Sequence, residues 1–263
     1  MDILRKSHAP VTKEAWDIIN EQAKKVFDSI LSGRRFVDVD GPKGLNFEAV
    51  SMGRLDVPEN QKGKIKYGIN KVLPLVETRS PFSLDLWELD NAARGAKDLN
   101  LDTMEEAAHN IGEFEEKLIY NGFPKANITG LKDVNKNKPA KYPEKVENLP
   151  EIISRLIGEF VKSSVEGPYS LILNTGRWEK LSSFVNGYPL KTVIKDLIGG
   201  NIILAPAIND AFLVSTRGGD FKLTIGQDLS IGYQSHDHKN VNLYFMESFT
   251  FQIIEPAAVI KFA

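Results

Sequence analysis

The sequence predicts a mixed α+β protein, and two periodicities carry that reading. Apolar residues recur at three- and four-residue steps over 12–32 and 103–121, as on one face of a helix, and at every second residue over 45–73 and from Val241 onward, as on one face of a strand. Between these blocks, 148–216 alternates helix-like and strand-like stretches, the pattern of a packed α/β unit.

Thr12 is placed to cap a helix that carries Trp16, Ile19, Ala23, Val26, Phe27, Ile30 and Leu31 on one face and ends at Gly33. The simplest role for that face is packing on the core. Next, Leu45, Phe47, Ala49, Leu55 and Val57, then Ile65, Tyr67, Ile69 and Leu73, fall at odd positions on either side of the turn-rich PENQKG, which predicts a long β-hairpin. A two-stranded ribbon of this length is marginal alone in water. It needs a neighbouring subunit to lie against, or its own domain to fold back on. Thr103 and Glu106 stand at capping-box spacing ahead of Met104, Ala108, Ile111, Phe114 and Leu118, and Gly122 closes that helix. The polar, lysine-rich and proline-bearing 132–147 reads as an exposed loop and a boundary. Beyond it Asn148 and Glu151 open a helix, YSLILN (169–174) is a buried strand, 176–185 and 190–198 read as helical, and NIILAP (201–206) and AFLVST (211–216) read as strands. The chain ends in a long strand with Val241, Leu243, Phe245, Phe249, Phe251 and Ile253 on one face.

Composition excludes several functions. The 263 residues are 42% hydrophobic and 26% charged with a formal charge of −2, enough for an ordinary core and without the basic excess that nucleic-acid binding requires. Cysteine is absent, which removes disulfides, thiolate metal sites and a cysteine nucleophile. The opening MDILRKSHAPVTKEAW lacks the apolar core of a signal peptide and no stretch reaches the length of a membrane span, so a soluble cytoplasmic protein is expected, with no membrane partner.

Candidate chemistry is sparse. Glu106 and His109 have the E-x-x-H spacing of di-iron bundles, but the second motif such a site needs is missing. His236 and His238 could chelate from one strand face, yet they sit in the polar run QSHDHKN and read as a surface turn; no metal site is expected. No phosphate-loop, dinucleotide or nucleophile-elbow motif occurs, so catalysis by this chain is not expected.

Four phrases in order, GRRFVDVDGP (33–42), PFSLDLWELDN (81–91), EGPYSLILNTGRW (166–178) and RGGDFKLTIGQDLSIGY (217–233), resemble the encapsulin shell proteins, also known as linocin-like bacteriocins. The resemblance spans nearly the whole chain. It implies the HK97 phage-like major capsid fold, with an N-terminal arm and helix (1–44), an extended loop (45–73), a peripheral domain (74–130 and 219–263) and an axial domain (131–218). It implies a homo-oligomer closed into an icosahedral shell, in the smallest T=1 class for so short a chain, with a cargo enzyme inside. That cargo would be a ferritin-like iron-oxidising protein or a dye-decolourising peroxidase, giving a role in iron storage or oxidative stress.

The resemblance also implies sites. The cargo's C-terminal peptide would be held by Phe27, Ile30, Arg34, Asp38, Ile231 and Tyr233. A pore would be bordered by Val185, Asn186, Gly187 and Tyr188. Some members carry a flavin such as FMN, which would stack on Trp87 beside Arg79; no cofactor is required. A reading from another class, a soluble hydrolase or secreted bacteriocin, has neither a signal peptide nor a catalytic constellation to support it.

Overall fold

The computed structural model describes residues 3–182, 184–185 and 187–262. Helix α1 (Lys13–Ile30) starts where the side-chain oxygen of Thr12 accepts the Ala15 N–H at 3.2 Å, and it buries Ile19, Ala23, Val26 and Ile30. A short strand, β1 (Asp38–Asp40), leads to the ribbon of β2 (Ala49–Asp56) and β3 (Ile69–Pro74), antiparallel as expected. Its register corrects the expected one-sided pattern. Val50 pairs with Leu73 and Leu55 with Asn70, so odd residues of β2 share a face with even residues of β3. Leu55 and Ile69 therefore point to opposite faces. An irregularity between Ser51 and Arg54, with Gly53 at φ +61°, inserts two residues into β2 and keeps this parity.

Strand β4 (Val76–Asp85) runs into α2 (Leu86–Ala93), whose start is capped by Asp85 accepting the N–H groups of Trp87 (2.8 Å) and Glu88 (3.1 Å). Helix α3 (Asp102–Asn121) ends at Gly122, φ +76°, as expected. The capping box does not form: Leu101 holds the cap position, and the Thr103 hydroxyl donates instead to the Ser83 carbonyl at 2.7 Å, tying α3 to β4.

Next come α4 (Leu149–Lys162), β5 (Tyr169–Leu173), α5 (Thr175–Glu179), the two-residue strands β6 (Phe184–Val185) and β7 (Tyr188–Pro189), α6 (Leu190–Ile198), β8 (Ile202–Leu204) and β9 (Ala211–Ser215). The stretch 176–185, expected to be helical, is one turn of helix, a 3-10 turn and then β6. Gly187, at φ +82°, favours reversal into β7 over continued helix. The chain closes with β10 (Phe221–Ile225), β11 (Ser230–His236), the 14-residue β12 (Asn240–Ile253) and β13 (Val259–Phe262).

Two sheets organise the molecule. In the first, β12 is central, with β4 along one edge and β10 and β11 along the other, and β1 adds parallel to β10. The second has the order β13-β9-β5-β8, with β8 parallel to β5. The last strand corrects the expected return of 219–263 to a single domain, because β13 pairs with β9 in the second sheet. Val259, Ile260 and Phe262 are all buried, the mark of a strand covered on both faces. Helix α1 and the front of α3 pack on β4, β11 and β12 to form one core cluster; a second joins the back of α3, β10 and the second sheet.

Candidate functional site

The C-terminal half of α1, the start of β11 and the first residues of the chain enclose a cavity of about 700 Å³. Its apolar wall is Ala23, Phe27, Leu31, Ile231 and Phe245, and its rim carries Lys6, Lys24, Asp28, Arg35 and Asp228. Phe27 stands edge-on to Phe245 at 5.3 Å, which fixes its ring in the wall. The N-terminal arm closes one side: the Tyr233 N–H donates to the Leu4 carbonyl at 2.7 Å, and Lys6 lies 4.2 Å over the Trp16 ring while donating to Asn20. Pre-formed, apolar and rimmed by charge, such a groove suits an extended peptide with a few aliphatic anchors.

Arg34 anchors the floor. Its guanidinium binds Glu115 of α3 (Nη2 to Oε2, 2.7 Å), Glu247 of β12 (2.5 Å) and Asp228 (3.0 Å), and both glutamates are fully buried. Three carboxylates on one cation cannot all be ionised cheaply. Burial, then the neighbouring Glu115 charge, pushes the Glu247 carboxyl well above its ordinary value. Ionisation of Glu247 is therefore disfavoured relative to a carboxyl in water.

Glu116, next along α3, accepts from the Gly33 N–H at 2.8 Å and from the Ser32 hydroxyl, which also meets the Tyr120 hydroxyl at 2.8 Å. Burial pushes the Glu116 carboxyl up to about 7, against the opposing pull of these hydrogen bonds. A raised carboxyl stabilises the fold fully below its unfolded value, and that contribution is lost as pH climbs through the folded value. Glu116→Gln is therefore expected to remove a pH dependence of about 3 kcal/mol spread between pH ~4.5 and ~7. Melting temperature followed across that range checks it; a slope identical to the parent would contradict it.

Of the six residues expected to hold a peptide, Phe27, Arg34 and Ile231 line the cavity. Ile30 does not: it is 4% exposed and faces α3, with its Cγ2 at 3.4 Å from where a side chain on Gly112 would begin. Asp38 sits at the head of β1, accepting the Gly219 N–H at 2.6 Å, and the Tyr233 hydroxyl pairs with His236 at 2.6 Å, so neither side chain is in the wall. The sequence reading missed Phe245 and the buried acids. Phe245 was visible on the odd face of the last strand. Glu115 and Glu116 lie four residues after Ile111 and Gly112 and four before Ile119 and Tyr120, on the buried stripe of α3.

At the expected pore, Val185 pairs with Tyr188 across the β6–β7 hairpin, Gly187 makes the turn and the Tyr188 ring is exposed; Asn186 lies outside the described residues. Trp87 is 77% exposed. Arg79 is ion-paired with Glu77 at 3.0 Å and lies 5.2 Å over the Tyr244 ring. Five strand residues lie between Arg79 and Asp85, a rise of about 20 Å. Glu106 and His109 are both exposed, and the described residues hold no cluster able to bind a metal. The turn at 237–239 is held by Asp237 accepting the Lys239 and Asn240 N–H groups at 2.7 Å, as expected of a surface turn.

A long ribbon outside two packed sheets is the build of a tailed-phage capsid subunit, and solved structures share it. A virus-like particle from Pyrococcus furiosus matches with TM-score 0.63 at 17% identity, over 94% of this chain and 98% of that one. The capsid of Myoviridae phage XM1 matches with TM-score 0.55 at 15% identity, over 88% and 91%. The class is thus a capsid-fold protein of the HK97 type.

Within that class the chain belongs to the encapsulin shell-protein family: a family model described as "Encapsulating protein for peroxidase" matches residues 1–250. A type 1 encapsulin shell protein of Rhodococcus erythropolis is 40% identical over 266 residues, 100% of both chains. One from Mycobacterium tuberculosis is 40% identical over 253 residues, 95% of each. These relatives are named as shell proteins. Among the described residues no helix is long and apolar enough to cross a membrane.

Proposed function

We propose that this chain is the subunit of a closed icosahedral container that encloses a guest enzyme and carries out no chemistry itself. The observation that carries this reading is the ribbon: Leu55, Ile65 and Ile69 are 58%, 83% and 61% exposed, and the apolar residues of its tip lie away from the rest of the chain. Exposed aliphatic residues on an arm of this length are stable only where another molecule covers them. Repetition of modest heterologous contacts, closed by symmetry, then gives a stable shell. In this reading the ribbon is the extended loop, the β12 sheet the peripheral domain and the β5 sheet the axial domain, with the β6–β7 hairpin bordering a pore and the container lying inside the cell.

The groove between α1 and β11 receives the guest's C-terminal peptide, the guest being a ferritin-like protein or a peroxidase. Repeated copies of the groove on one shell give avidity for an oligomeric guest. Phe27→Asp places a charge in the apolar wall and is expected to leave particle size by sedimentation unchanged while guest per shell, isolated from the source cells, falls about tenfold. Phe27→Leu should restore loading. Unchanged loading in Phe27→Asp would overturn the assignment of the groove, and a purified chain sedimenting as monomer or dimer would overturn the container.

A further inference from the structure

Two surfaces without partners in the chain match each other. Residues 49–74, the ribbon, carry five basic and two acidic side chains in a chain that is acidic overall, a local excess of positive charge. Lys62, Lys64 and Lys66 cluster at the tip beside Ile65 and Tyr67, both exposed. Because Leu55 and Ile69 point to opposite faces, the tip is apolar on both sides and is best satisfied inside a contact, not across one. The second surface is 85–106, with seven acidic and two basic residues. At its edge stands Trp87, the most exposed tryptophan in the chain, held in place by the Asp85 cap. Asp90, Asp98 and Asp102, in the same segment, are exposed and make no ion pair among the described residues.

We propose that the basic ribbon tip of one copy docks on the acidic Trp87 surface of a second copy of this chain. This placement rests on the shell reading and adds to it the identity of the receiving surface. An exposed indole in an acidic segment is the anchor of such a contact: the ring takes the aliphatic residues of the tip, and the acids of 85–106 face its lysines. Opposite charge steers the ribbon to this site and disfavours pairing of two ribbons, which would bring like charges together. The same contact gives Trp87 a role that does not require a flavin.

The test uses full-length protein. Lys64→Glu with Lys66→Glu on the ribbon, and separately Asp90→Lys with Asp98→Lys on the receiving surface, are each expected to reduce the assembled fraction in sedimentation about tenfold; the four changes together should restore it to within about twofold of the parent. All four positions are exposed, and circular dichroism of the unassembled fraction confirms the fold. In parallel, a Trp16→Phe, Trp178→Phe background leaves Trp87 as the sole indole, and its emission is expected to shift to the blue on assembly. Shells whose Trp87 emission matches that of free subunits would overturn the docking site while leaving the container intact. So would a four-site variant that assembles no better than its parents, or a ribbon variant that assembles like the parent. A parent chain that forms no shells would overturn the shell reading itself.

Discussion

Arg34→Met is expected to be the most damaging single change in the core, costing about 3–5 kcal/mol, because it leaves buried carboxylates without their cation. Glu115 receives three hydrogen bonds from the guanidinium, at 3.0, 3.1 and 2.7 Å, and lies in the interior with Glu247. For a chain of this length the loss corresponds to a fall in melting temperature of about 5–10 °C. Glu247→Gln is the informative companion. Burial disfavours ionisation of Glu247, and one of its oxygens, Oε2, is buried without a partner, so the amide keeps the shape while removing the charge. It should change stability by no more than about 1 kcal/mol. Melting of the two variants at pH 7 checks both; a larger loss in Glu247→Gln than in Arg34→Met would contradict this account of the Arg34 site.

Leu55→Asp and Ile69→Asp are each expected to abolish shell formation while leaving the subunit folded. Both positions are exposed in the single chain, so neither change touches its core. In a contact each would bury a carboxylate without a partner, at a cost of several kcal/mol that every interface of the shell repeats. The two residues lie on opposite faces of the ribbon, so the pair separates one-sided from two-sided coverage. Sedimentation should find folded subunits for both. If one variant assembles normally, its face is open to solvent in the shell.

Much of the fold could be read from local pattern. The Thr12 cap, the period of α1 and the length of β12 follow from spacing alone, because each depends on residues within one element. Features set by distant contacts could not. Thr103 prefers the Ser83 carbonyl on β4 to its own helix, and nothing within 103–106 announces that strand. The inserted pair in β2 and the opposite parity of its partner come from pairing, which the odd-numbered pattern of each strand does not encode. Of the site, the aromatic and aliphatic wall was visible as helix and strand faces. Ile30, on the same stripe as Phe27, turned out to serve the α1–α3 contact, since a helical stripe is wide enough to meet two neighbours. The buried acids were hidden because glutamates on a helix ordinarily face water; only their place on the apolar stripe of α3 marks them.

Electron cryo-microscopy of the purified protein decides whether this chain is complete only in company. A closed icosahedral particle in which every ribbon crosses onto a sister subunit is the expected image; small separate particles, each with its ribbon laid back along its own sheets, would contradict the container reading.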